Sequence, residues 1–132
     1  MNMTRVLIVD DDADTLALYA IALTASGFAT DKAATGREAL AAVHRAGPQV
    51  IITDLNLPDC NGVELCADMR AAGGSALLGI IVLSGNSDAE QHARARQAGA
   101  AEVLVKPCLP SDLEGAIRKT LANASAKAES GG

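Results

Sequence analysis

The chain has 132 residues, room for one domain and none for a second, and its 49% hydrophobic and 20% charged residues are the balance of a globular protein. A formal net charge of −5 excludes a binder that works by neutralising nucleic-acid phosphates. Tyr19 and Phe28 are the only aromatic residues, too few for a base-stacking platform or a flavin sandwich.

The first apolar run, Val6–Val9, is β-branched and strand-length, and it ends in the acids Asp10, Asp11 and Asp12. It is too short for a signal peptide. The longest mostly apolar stretch, Leu16–Leu23, is far below a membrane span, so a soluble, cytoplasmic protein without membrane partners is expected. That stretch predicts a first helix, stopped at Gly27. A weaker run near Phe28–Lys32 reads as a second strand, where Asp31 and Lys32 suit a sheet edge.

Thr35-Gly36-Arg37-Glu38 fits a capping box, in which hydroxyl and carboxylate satisfy the orphan amides of a helix start. This opens a second helix, which stops at Gly47. Val50–Thr53 is the third strand, with Asp54 at its end, and the helix after it stops at Gly73. Leu77–Leu83 is the fourth strand, followed by Ser84, a second box at Ser87-Asp88-Ala89-Glu90 and a stop at Gly99. Val103–Val105 is the fifth strand, followed by Lys106 and a third box at Ser111-Asp112-Leu113-Glu114. Residues 123–132 contain no large apolar side chain, so a domain over 1–122 with a flexible tail over 123–132 is expected. Cys60, Cys66 and Cys108 form no C-x-x-C pair and read as reduced thiols.

Strands alternating with helices imply right-handed crossovers and a parallel sheet with helices on both faces. The expectation is an α/β, doubly wound five-stranded sheet, (βα)5 and flavodoxin-like, in the order 2-1-3-4-5.

In such a sheet ligands bind beyond the carboxyl ends of the strands, and polar side chains from four strands fall there. They are Asp10 and Asp11, Asp54, Ser84 and Lys106. A dinucleotide site would need glycines after the first strand, where this chain has acids. Clustered carboxylates need a cation, and oxygen donors without histidine or cysteine point to a hard one, Mg²⁺. Asp12 and Asp14 are read as favouring the start of the first helix. Asp54, at the mouth of an apolar strand, can ligate a metal with one oxygen and attack an electrophile with the other. Lys106 ends a buried strand and must be paired, with Asp54 the nearest candidate. The Ser84 hydroxyl can donate to a phosphoryl oxygen. His44 and His92 fall within predicted helices beside charged residues and read as inert.

Leu7-Ile8-Val9-Asp10-Asp11, Asp54-Leu55-Asn56-Leu57-Pro58 with Gly62, Ser84-Gly85, and Gly99-Ala100-Ala101 leading to Lys106-Pro107 resemble the receiver domains of two-component response regulators. The form is that of single-domain, chemotaxis-regulator-like members. The resemblance covers the chain up to the tail. It implies that Asp54 takes a phosphoryl group from a phosphohistidine on a sensor histidine kinase or histidine phosphotransfer protein. It implies Mg²⁺ on Asp10, Asp11, Asp54 and the backbone carbonyl of Asn56, with Ser84 and Lys106 contacting the phosphoryl oxygens. Asn56 and Asn86 would tune hydrolysis, and the bond before Pro107 would be cis. Output would pass to a downstream protein rather than to nucleic acid, so the chain would be a signalling switch and not an enzyme beyond its own phosphorylation and dephosphorylation. Two positions depart from the family pattern: Val103 stands where an aromatic switch residue is common, and Cys108 stands where Phe is common. The alternatives are a haloacid-dehalogenase-type phosphohydrolase, built on Asp10-x-Asp12 with Ser84 and Lys106, and a pseudo-receiver that only binds partners. The first lacks its later acidic pair and leaves Asp54 unexplained.

Overall fold

The computed structural model describes residues 3–85 and 87–130. Five strands form one parallel sheet: β1 (Arg5–Val9), β2 (Ala29–Ala33), β3 (Val50–Asp54), β6 (Gly79–Ser84) and β7 (Ala100–Val105), in the order β2-β1-β3-β6-β7. This is the expected order 2-1-3-4-5 in this numbering. Between β3 and the next helix lies a small antiparallel pair, β4 (Asn56–Leu57) with β5 (Cys60–Asn61), which no periodicity announces.

Side-chain alternation along the strands divides the core in two. Val6, Ile8, Val50, Ile52, Ile81 and Leu83 face α1 (Ala13–Ala25) and α5 (Pro110–Ser130), where Tyr19, Leu23, Leu113 and Ile117 cover them. Leu7, Val9, Ile51, Ile80 and Val82 face α2 (Gly36–Ala46), α3 (Gly62–Gly73) and α4 (Ala89–Gln97), meeting Ala39, Val43, Leu65, Met69 and Ala95. The central strands are buried on both sides, which is why they read as continuous apolar runs.

Several boundaries differ from expectation. The Thr35 cap forms, its hydroxyl oxygen accepting from the Glu38 amide at 3.1 Å. At α4, however, Asp88 rather than Ser87 is the cap, its carboxylate accepting from the Glu90 and Gln91 amides. An aspartate adjacent to a serine competes for the same amides and adds charge at the positive helix end. Helix α5 starts before the predicted box, at Pro110, because proline suits the first helical position; Asp112 accepts from the Leu109 amide at 3.0 Å. Gly73 ends α3 in helical conformation, and the positive φ, 59°, falls on Gly74 instead. Helix α5 continues to Ser130, across most of the segment expected as a tail. Alternating alanines from Ala122 to Ala128 favour helix without any large apolar side chain. Among the described residues no helix is long and apolar enough to cross a membrane.

Candidate functional site

The carboxyl ends of β1, β3, β6 and β7 meet at one rim of the sheet. Asp10 follows β1 and is 1% exposed; Asp54 ends β3 and is 6% exposed. Asp11 stands beside them, exposed to solvent. One carboxylate oxygen from each of the three can be chosen so that all lie within 4.8 Å of one another. Lys106 closes the corner from the end of β7, its Nζ 2.9 Å from Asp54 Oδ2 and 3.2 Å from Asp10 Oδ2.

The remaining oxygens of the two buried acids are held as well. The Asp12 amide donates to Asp10 Oδ1 at 2.9 Å, and the Asn56 amide donates to Asp54 Oδ1 at 3.0 Å. These bonds follow from the turns: each acid ends a strand, and the amide two residues on folds back to it. Asp12 takes the N-cap position of α1, but its carboxylate accepts from the Thr15 hydroxyl rather than from a helix amide. That hydroxyl holds the Asp12 carboxyl below the usual carboxylate range. Desolvation pulls the Lys106 ammonium down, but its hydrogen bond to Asp54 and the charges of Asp54 and Asp10 outweigh this and leave it raised.

Three carboxylates against one ammonium leave an excess of two negative charges at the corner. A divalent cation matches that excess, and the donors are hard oxygens with no histidine or cysteine in the cluster. The residues therefore fit Mg²⁺, with Asp10, Asp11 and Asp54 able to hold it.

Ser84 is fully buried at the end of β6, and its carbonyl accepts from the Lys106 amide at 2.7 Å, so backbone pairing fixes two of the rim residues to each other. Asn56 lies in β4 with its side chain exposed. Asn86 lies outside the described residues. The Lys106–Pro107 bond is cis. Val103 pairs with Val82 across the sheet and packs half-buried on the face of α2, α3 and α4.

Two contacts had no signal in the sequence reading. Tyr19 on α1 donates its hydroxyl to the Cys108 carbonyl at 2.7 Å, tying the first helix to the loop after Lys106. Asp59, in the turn between β4 and β5, accepts from the amides of Gly36 and Arg37 at 2.8 and 3.1 Å. The density of turn formers in Asn56-Leu57-Pro58-Asp59-Cys60-Asn61-Gly62 is the clue that could have marked this turn.

Comparison with known proteins gives the same frame. The family described as response regulator receiver domain matches residues 6–118. The DNA-binding response regulator MtrA of Mycolicibacterium paratuberculosis is 33% identical over 117 residues, 89% of this chain and 51% of that protein. The transcriptional regulatory protein PrrA of Mycobacterium leprae is 35% identical over 130 residues, 98% of this chain and 55% of that protein. The chain thus spans about half the length of these relatives. Among solved structures, a CheY-like receiver domain protein from Methanospirillum hungatei superposes with a TM-score of 0.89 at 28% identity, covering 96% of this chain and 99% of the other. Sheet order, acidic corner and sequence match agree, and the chain belongs to the receiver domains of two-component response regulators.

Proposed function

We propose that the chain is a phosphoacceptor switch in which Asp54 takes a phosphoryl group from a phosphohistidine of a sensor histidine kinase or histidine phosphotransfer protein. The observation that carries this reading is the Lys106 ammonium set against both Asp54 and Asp10 at a corner with two uncompensated negative charges. An Asp54 oxygen attacks phosphorus, the P–N bond breaks, and its electron pair stays on the imidazole nitrogen, which is then protonated. Mg²⁺, when held by Asp10, Asp11, Asp54 and the Asn56 carbonyl, supplies charge neutralisation for the phosphoryl oxygens. Lys106 already donates to Asp54 Oδ2 and would transfer that donation to a phosphoryl oxygen. The Ser84 hydroxyl would give a second donor, and the side chains of Asn56 and Asn86 would set how readily water reaches the acyl phosphate.

The switch acts in the cytoplasm and signals through protein contacts. The net charge of −5 argues against phosphate-backbone contacts by this part of the protein. The haloacid-dehalogenase-type reading would place its nucleophile at Asp10. That carboxylate, 1% exposed against 6% for Asp54, is the less accessible of the two, and the reading leaves the matching contacts on Asp54 without a role.

Incubation with acetyl phosphate and Mg²⁺ followed by intact mass measurement tests the proposal. A single phosphoryl adduct that disappears in Asp54→Asn supports it. No adduct, or continuous release of phosphate from many esters, overturns it.

A further inference from the structure

The loop that carries Asn56 is tied to an element outside the acidic corner. Asp59 Oδ1 accepts from the Gly36 amide at 2.8 Å and Oδ2 from the Arg37 amide at 3.1 Å. These are the first amides of α2, donors for which a helix has no internal partner, and its positive end favours a carboxylate. The Gly36 amide bond holds the Asp59 carboxyl below its ordinary range.

Helix α2 already has a cap of its own, since Thr35 Oγ1 accepts from the Glu38 amide. Asp59 is therefore an addition, brought from a separate loop. The fit between the two elements is close. A Cβ on Gly36 would run into Cys60 Sγ, and a Cβ on Gly62 would run into the Leu55 carbonyl oxygen. The β4–β5 pair is two residues on each side, Asn56 with Asn61 and Leu57 with Cys60, and so small a pair has little stability alone. Its position depends on what it is fastened to.

We propose that Asp59 is a positioning residue for the cation site: by clasping the start of α2 it fixes the β4–β5 turn, and through it the Asn56 backbone beside Asp54. The inference rests on the phosphoacceptor reading, because it takes the Asn56 carbonyl as a Mg²⁺ ligand. Coupling of this kind is reciprocal, so a cation that gains from an ordered loop must in turn order the loop. Mg²⁺ then slows hydrogen exchange at the Gly36 and Arg37 amides.

The test is Mg²⁺ titration and amide exchange on the wild type, Asp59→Ala, Asp59→Asn and Thr35→Ala. Asp59→Ala weakens Mg²⁺ binding by about tenfold, the lower end for residues that orient metal ligands, and loses the Mg²⁺-dependent protection at Gly36 and Arg37. Asp59→Asn keeps one acceptor oxygen and recovers part of both effects. Thr35→Ala weakens the same helix start without touching the loop, and it leaves Mg²⁺ affinity unchanged. Wild-type affinity in both Asp59 variants overturns the clasp, as does a Thr35→Ala loss equal to that of Asp59→Ala, which would make helix stability the whole effect. A wild type that takes up no Mg²⁺ overturns the cation site itself, and the clasp with it.

Discussion

The acidic corner and the β7–α5 edge are neighbours in space and opposites in construction. At the corner both buried acids, Asp10 and Asp54, have each oxygen matched to a donor, one from the amide two residues on and one from the distant Lys106. A few residues away, Val105 is 46% and Leu109 65% exposed, and Val103 offers no ring that could fill or vacate a pocket. Chemistry on a carboxylate needs fixed distances, and parallel strand ends deliver them. A surface read by a partner needs only the right side chains. The first region therefore keeps the family pattern, and the second is free to depart from it.

The largest expected break is Asp54→Asn, which removes the proposed nucleophile and abolishes the phosphoryl adduct in intact mass while leaving the fold in place. Lys106→Ala comes next. It leaves Asp10 and Asp54 buried without their cation and destabilises the chain by about 2 kcal/mol in metal-free buffer. This is less than the roughly 3–5 kcal/mol of a fully buried pair, because Lys106 is 27% exposed. Chemical denaturation with and without Mg²⁺ checks it, the variant gaining more from the cation than the wild type does. The raised Lys106 also sets the sign of a pH effect. Its ion pairs contribute fully below the ordinary lysine range and are lost only as pH climbs through the raised value, so the wild-type advantage shrinks at strongly alkaline pH.

Asp11→Ala should weaken Mg²⁺ binding by more than about tenfold, since a direct ligand and a charge go together, and calorimetric titration measures it. The contrast between corner and edge is sharpened by amide shifts on adding beryllofluoride. Changes should gather at Asp54, Ser84 to Glu90 and Lys106, and larger changes along α5 would show that the edge carries the signal by another relay. The smallest effect concerns the thiols. Burial pushes Cys66 up to about 11, so it should resist alkylation at roughly pH 8, while the half-buried Cys60 and Cys108 react first.

The corner was legible in the sequence because each of its residues ends an apolar run. Val9 leads to Asp10, Thr53 to Asp54, Val105 to Lys106, and the strand order alone brings these ends together. The β4–β5 turn was not legible, since two-residue strands have no period to detect. The Asp59 clasp depends on that turn and was hidden with it. The helix starts at Asp12 and Thr35 were legible, although the Asp12 carboxylate makes no capping bond to a helix amide. Where Ser87 sits beside Asp88, or Ser111 after Pro110, two local preferences compete and the sequence pattern does not rank them. The extent of α5 was missed because absence of apolar side chains argues against burial, not against helix.

The bond from the Tyr19 hydroxyl to the Cys108 carbonyl spans 89 positions of the chain, and the ion pair between Lys106 and Asp10 spans 96. Synthesis on the ribosome proceeds from the N-terminus, so β1 and α1 emerge long before the segment that completes them. A nascent chain that ends before Lys106 holds its carboxylates without their ammonium and its Tyr19 hydroxyl without its acceptor. The corner gains its ammonium, and α1 its tie to the loop beyond, only once the chain has been made past the end of β7. A chain that stops short of β7 therefore carries the acids of the proposed switch without the cation that pairs them.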